Sequence, residues 1–194
     1  MTVSSSGGIT LDSNDAEKIT QIIKEKESKG YAYELANSSL DLLIFRQLPN
    51  YEEKFELIDF MVIVENKRRS SLGSGWRNDG SEHPILSEAT IKIKTKDEIF
   101  HTAAEGNGPV GALDNATRKA LIGTFPEINK IRLTDYIVRV VEEGTGTGAV
   151  VRVIIESSDD KEVWTTVGAS SNIIEATWIA LADSIEWFLI KNSK

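Results

Sequence analysis

The chain has 194 residues, of which 40% are hydrophobic and 27% charged, which excludes a disordered chain and allows a buried core. Its formal net charge of −8 would repel a polyanion, so nucleic acid is not an expected partner. The absence of cysteine excludes disulfides, thiolate metal sites and a cysteine nucleophile. No apolar run approaches the ~20 residues that a membrane span needs, so we expect no membrane partner and a cytoplasmic (or organelle stroma) location.

The N-terminal part of the chain is predicted to be a leader followed by two helices. Residues 1–12 are rich in Ser and Gly and are expected to form a loose leader. A small helical subdomain is predicted over residues 13–50, with Gly30 as the C-cap of its first helix. Its second helix is expected from Ser38 to Leu48, because Pro49 follows. This pair is too small to be stable alone.

The remaining residues, 51–194, contain an internal repeat. Leu57–Glu65 matches Leu133–Val141, and each copy continues with an alternating strand, a tight polar turn, a short strand and a helix. The copies extend over roughly residues 54–124 and 129–192. Strands with one polar face indicate an antiparallel sheet covered on one side by helices. The predicted fold is therefore α+β, a tandem βββα repeat preceded by the helical subdomain.

The two copies differ in one connection. Arg68–Pro84 is rich in Ser, Gly, Arg and Asn and is predicted to form a mobile loop. The second copy has Gly144–Gly148 in its place. This glycine-rich stretch lacks the Lys-Ser/Thr ending of a phosphate loop and leads into a strand, so a flexible connection is expected.

Each repeat helix is preceded by a segment that could bind an anion. These segments are Gly106–Pro109 and Ser170–Asn172. A helix start offers free N–H groups and a positive dipole end, which can hold a carboxylate or phosphate. The alternatives are a plain strand-to-helix turn with glycines at positive φ, and, in the second copy, capping by Asn172 and Glu175.

No catalytic or metal-binding set is predicted. His83 and His101 have no neighbours at metal-ligand spacing. Asp59 and Asp135 occupy matching places in the repeat. They could form a general-acid pair, or bond backbone or solvent, and Asp135 could bind a ligand ammonium. An enzyme in its own right is not expected.

Several motifs resemble one family. His101–Val110, followed by Ala112–Asp114, closely resembles the regulatory-domain motif shared by 2-isopropylmalate and citramalate synthases. Ile131–Tyr136 resembles the strand that follows that motif. Thr166–Trp178 with Ala182–Glu186 resembles the citramalate branch, because the leucine-pathway branch usually lacks Trp178 and the Asp-Ser-Ile-Glu ending.

The helical subdomain takes part in the same resemblance. Gly30–Glu34 and Leu40–Leu43 resemble the linker subdomain that precedes the regulatory domain in this family. The resemblance therefore covers nearly the whole chain from about Asp15 onward. The helical linker subdomain is the element expected to carry an effector-dependent change to the catalytic part.

The resemblance implies a regulatory and dimerisation domain that forms a homodimer. Its effector would be isoleucine in a citramalate synthase, or leucine in a 2-isopropylmalate synthase. The resemblance also implies an N-terminal TIM barrel, absent from this chain, that condenses acetyl-CoA with a 2-oxo acid using a divalent metal. This chain alone is expected to hold no cofactor and to consume no acetyl-CoA. The alternative is a free-standing module that binds branched-chain amino acids.

The predicted effector site follows from the resemblance and from the chemistry of an amino acid. The carboxylate is assigned to the two helix starts, the ammonium to Asp135 or backbone carbonyls, and the apolar tail to a lined pocket. The carboxylate-binding residues are Gly106, Asn107, Gly108, Ser170, Ser171 and Asn172. The tail-lining residues are Val110, Leu133, Tyr136, Val138 and Val151.

Overall fold

The computed structural model of the protein describes residues 13–65, 86–141 and 148–192. Three predicted features lie outside these residues: the leader, the Arg68–Pro84 loop with His83, and residues 144–147 of the glycine-rich stretch. The helices and strands, in chain order, are α1 Ser13–Ser28, α2 Asn37–Phe45, β1 Phe55–Glu65, β2 Leu86–Thr95, β3 Ile99–Gly106, α3 Pro109–Leu121, β4 Arg132–Val140, β5 Val151–Ser158, β6 Val163–Ser170 and α4 Ile173–Asn192. Short 3₁₀ helices lie at Tyr33–Leu35 and Pro126–Lys130.

The predicted tandem βββα fold is confirmed. One antiparallel sheet has the order β1-β2-β3 and precedes α3, and the other has the order β4-β5-β6 and precedes α4. The chain divides into two compact units. The first-repeat unit is Phe55–Pro126, and the second-repeat unit is Met1–Lys54 with Glu127–Lys194. The predicted helical subdomain therefore falls in the second-repeat unit.

Equivalent hydrogen bonds relate the two repeats. In the first-repeat unit the Thr102 hydroxyl donates to the carbonyl of Ala116 at 2.9 Å, 14 residues along the chain. In the second-repeat unit Thr166 donates to Ala180 at 2.7 Å, also 14 residues along. Each bond joins the third strand of a repeat to its helix, so these residues fix the alignment of the two copies.

In the first-repeat unit, alternation along β2 produces the core. Ile91 and Ile93 are fully buried and face α3, whereas Lys92 and Lys94 point to the opposite, exposed face. From α3, Leu113 and Leu121 complete the apolar layer. The helix therefore covers one face of this sheet, as the strand pattern predicts.

In the second-repeat unit, helices cover both faces of the sheet. Val153 and Ile155 of β5 are fully buried on the α4 side. On the other side, Ile154 belongs to an apolar cluster with residues of the N-terminal helices. That cluster consists of Ile19, Tyr31, Tyr33, Ala36, Leu43, Ile44, Ile154 and Val167. The helical subdomain therefore gains its stability from β5 and β6, which explains why it needs no core of its own.

The predicted C-cap at Gly30 is confirmed. Gly30 has a φ of 101°, a conformation that glycine adopts without steric penalty. The N–H of Gly30 donates to the carbonyl of Glu27 at 3.0 Å. The N–H of Tyr31 donates to the carbonyl of Lys26 at 3.2 Å. These two bonds form a Schellman motif, which satisfies the last carbonyls of α1.

Over the part of the chain that the structure describes, no helix is long and apolar enough to cross a membrane.

Candidate functional site

Gly106 is required by close packing at the start of α3. A Cβ at this position would lie 2.3 Å from the backbone nitrogen of Ala112 and 2.5 Å from the carbonyl carbon of Gly111. Gly106 thus allows the end of β3 to touch the helix backbone. Of the glycines in the described ranges, Gly30 is the one whose φ lies in the left-handed region, so neither Gly106 nor Gly108 adopts the left-handed conformation that this alternative requires.

Gly108 leaves the start of α3 open. It is the N-cap, with extended backbone at φ 177° and ψ 173°, and no side chain caps the helix. A Cβ built on it meets nothing within 4 Å. Pro109 has no N–H, and the first intrahelical bond runs from Ala112 to Gly108 at 2.9 Å. No acceptor for the N–H groups of Val110 and Gly111 is found among the described residues, so these groups can face an anion.

The start of α4 is closed by its own side chains. The Asn172 Oδ1 accepts from the N–H groups of Ile174 at 2.9 Å and Glu175 at 3.4 Å. The Ser170 hydroxyl accepts from the N–H of Asn172 at 3.0 Å and donates to the Glu175 carboxylate at 2.6 Å. Ser171 is exposed beside them. The α4 start is thus capped by Asn172, as the capping alternative stated. A ligand carboxylate could bind these N–H groups only by displacing the Asn172 side chain.

The tail-lining residues of β4 and β5 share the sheet face that carries α4. Tyr136 and Val138 pair with the buried Ile155 and Val153. The Tyr136 hydroxyl lies 2.6 Å from that of Thr177 in α4. Burial raises the pKa of Tyr136, although the bond to Thr177 acts to lower it. Leu133 and Val151 lie on the same face, so four of the predicted tail contacts form one apolar surface.

Asp135 lies on the opposite face of β4. A bulge between Leu133 and Asp135 shifts the alternation, so Asp135 pairs with Glu156. The Asp135 carboxylate accepts from the N–H of Tyr136 at 2.8 Å, which is the backbone-bonding alternative. Both acids line a groove of about 190 Å³ on this face. The other residues that line it are Leu35, Ile137, Arg139, Ile154 and Thr165.

This geometry separates Asp135 from Tyr136 and Val138, with which the sequence grouped it. Its role as ammonium acceptor stays a prediction, as does the other option, a backbone carbonyl. The predicted residues Gly106, Asn107, Gly108 and Val110 lie in the first-repeat unit. The remaining predicted residues lie in the second-repeat unit. Among the residues with described side chains, no three His, Asp or Glu are grouped so as to hold a metal ion.

The tandem βββα repeat with an open helix start agrees with the regulatory domain that the motifs quoted above resemble. The chain belongs to the LeuA allosteric (dimerisation) domain family, which it matches over residues 34–189. The predicted family is confirmed.

The relatives that match this chain support the citramalate branch. The (R)-citramalate synthase of Geobacter sulfurreducens is 44% identical over 188 residues, which are 96% of this chain and 33% of the relative. That of Aquifex aeolicus is 42% identical over 189 residues, 96% of this chain and 34% of the relative. That of Synechocystis is 37% identical over 184 residues, which are 94% of this chain and 32% of the relative. The chain thus spans about a third of the length of these relatives.

Proposed function

We propose that this chain is the regulatory domain of a citramalate synthase, that it binds the end product isoleucine for feedback inhibition, and that it forms a homodimer. The family and the names of the relatives support this proposal. In it, catalysis belongs to another part of an acetyl-CoA-dependent acyltransferase. That part would use pyruvate and a divalent metal, and this chain would supply control alone.

The observation that carries the ligand proposal is the open start of α3. An amino-acid carboxylate needs several N–H donors that no side chain blocks, and Gly108 provides that access. The α4 start is less suited, because Asn172 already occupies its donors. The β4 surface with Leu133, Tyr136 and Val138 stays the predicted contact for the apolar tail.

Isothermal titration calorimetry of the 194-residue chain with isoleucine, leucine and valine tests this proposal. We expect isoleucine to bind most tightly, with a discrimination of about 1–3 kcal/mol, because the competitors differ by a methylene or its position. Tightest binding of leucine would favour the regulatory domain of a 2-isopropylmalate synthase instead. Binding of none of the three would contradict the proposal. A reading frame without a barrel upstream would favour the free-standing module.

The homodimer is proposed to use exposed apolar side chains of the strands. On β1, Met61 and Val64 are each 55% exposed, and on β4 Val140 is 62% exposed. Apolar surface of this kind on edge strands is typical of an interface. Light scattering at tens of micromolar should give twice the 21.4 kDa of one chain.

A pair of matched variants locates this interface. Val140→Asp should weaken dimerisation at least about tenfold, because a charge would be buried without a partner. Val163→Asp, at a residue 61% exposed on β6 and therefore outside the β1 and β4 strands proposed for the interface, should leave the dimer intact. A monomeric parent chain would contradict the homodimer, and a dimeric Val140→Asp chain would place the interface elsewhere.

A further inference from the structure

A cluster of charges, in which both carboxylates are buried and the cation is partly exposed, joins the C-terminal end of α2 to α4. One Arg46 nitrogen, Nη2, lies 2.8 Å from Asp183 Oδ1 and 2.6 Å from Glu186 Oε2. Asp183 is 6% exposed and Glu186 is 3% exposed. Ser39 donates to Asp183 Oδ2 at 2.7 Å, and Tyr51 donates to Glu186 Oε1 at 2.5 Å. We call these five residues the charge lock.

Among the described residues, Arg46 is the one cation of the charge lock. Burial raises the pKa of Asp183, while the guanidinium of Arg46 acts to lower it. Burial acts to lower the pKa of Arg46, but the two carboxylates outweigh it and raise that pKa. Without Arg46, Asp183 and Glu186 would be two buried carboxylates that no described cation pairs with, which is strongly unfavourable. Both carboxylates are therefore expected to lose their partner together if Arg46 moves away.

Further bonds make the lock a docking point for residues 37–54. The hydroxyl of Ser39 also accepts from the N–H of Val167 in β6 at 3.0 Å. The N–H of Lys54 approaches Glu186 at 3.4 Å, and the indole N–H of Trp187 approaches Asp41 at 3.4 Å. Both ends of the segment are thus fixed on α4 by polar contacts.

The same helix contacts the predicted ligand surface near its start. Thr177 of α4 bonds Tyr136 on the β4 surface proposed for the apolar tail. Asp183 follows Thr177 about 9 Å further along the helix axis. Because α4 contains neither glycine nor proline, it has no built-in hinge between these points. A displacement of the helix at Thr177 would therefore be carried along α4 toward the charge lock.

We infer that the charge lock is the contact through which α4 transmits effector binding to segment 37–54. This inference rests on the proposed function, because it takes isoleucine as the effector. It also assigns a role to the Asp-Ser-Ile-Glu motif at residues 183–186, whose two acids, Asp183 and Glu186, are the members of the lock on α4.

Hydrogen–deuterium exchange of the full chain, with and without isoleucine, tests the inference in the parent and in Arg46→Met. Without ligand, the α2 amides of Arg46→Met should exchange at least about tenfold faster than those of the parent, with α3 unchanged. With isoleucine, the parent should change its exchange at both the α3 start and α2. Arg46→Met should respond at the α3 start alone.

Arg132→Met is the matched control, because Arg132 forms an exposed ion pair with Asp160 in the same unit. It should behave as the parent. If Arg46→Met does not fold, Tyr51→Phe can be used instead, because it removes one donor to Glu186. It should also accelerate exchange of the α2 amides, by a smaller factor than that expected for Arg46→Met.

The outcomes separate the two proposals. Equal α2 exchange in ligand-free parent and Arg46→Met would overturn the lock itself. An equal isoleucine response of α2 in both would overturn its role in transmission. If isoleucine changed no amide of the parent, the proposed function would fail together with transmission, while the ligand-free comparison would still decide whether the lock holds α2.

Discussion

Gly108→Val is expected to weaken isoleucine binding at least about a hundredfold, to the limit of detection by calorimetry. The extended backbone at Gly108 accepts any residue, and a Cβ there meets nothing within 4 Å, so the variant should fold normally. Its branched side chain would instead cover the approach to the N–H groups of Val110 and Gly111. The carboxylate would then lose its donors without any change in the helix itself.

Gly123→Val provides the matched control for this experiment. Gly123 follows the other end of α3, and a Cβ there also meets nothing within 4 Å. We expect Gly123→Val to bind isoleucine as tightly as the parent does. Both variants should have melting temperatures close to that of the parent. Parental affinity in Gly108→Val would show that the carboxylate binds elsewhere. Loss of affinity in both variants would point to the fold rather than to the site.

Gly168→Ala is expected to cause the largest loss of stability of any alanine substitution considered. The new Cβ would lie 2.0 Å from the carbonyl oxygen of Ala176 and 3.0 Å from the nitrogen of Ala180. These are backbone atoms, which cannot rotate away, so β6 and α4 must separate. Thr166 holds the same strand to Ala180 at 2.7 Å, which resists that separation. We expect a loss of about 3 kcal/mol or more in the free energy of unfolding, measured with urea.

The control for this substitution is Gly148→Ala in the same unit. Gly148 is exposed and a Cβ there has open space, so the change should stay within about 0.5 kcal/mol. A Gly168→Ala chain as stable as this control would mean that β6 and α4 can move apart freely. The close packing at Gly168 would then contribute nothing measurable to the free energy of unfolding.

The sequence predicted the repeat and its elements because periodicity and capping are local signals. Gly30 ends α1 as expected, and Pro109 begins α3. The role of Gly106 could not be predicted, because the motif reads the same whether a glycine admits a ligand or a neighbouring helix. Only the structure distinguishes the two, because a Cβ at position 106 would lie 2.3 Å from the backbone nitrogen of Ala112.

Asp135 shows a second limit of reading from sequence. Strict alternation would place Leu133 and Asp135 on one face, and the sequence prediction grouped Asp135 with the apolar residues of that surface. The bulge between them reverses the side on which Asp135 lies. A bulge depends on how two strands pair, so the strand's own residues do not reveal it.

The charge lock also required the tertiary structure. Arg46 reads as an ordinary surface cation at the end of a short helix. Asp183 and Glu186 gave a signal, since they interrupt a helix that is otherwise apolar on most sides. Their partner became evident only when α2 docked against α4.

The 14-residue correspondence between Thr102–Ala116 and Thr166–Ala180 has a consequence for how the two copies diverged. It aligns Asp183 of α4 with Lys119 of α3, whose ammonium donates to the carbonyl of Ala103 at 3.1 Å. A lysine there could not accept the guanidinium of Arg46. Likewise, the uncapped Gly108 aligns with the self-capped Asn172. Under the proposed function, the first repeat would bind the effector and the second would report that binding, so a chimera with two identical copies should lose one of these tasks.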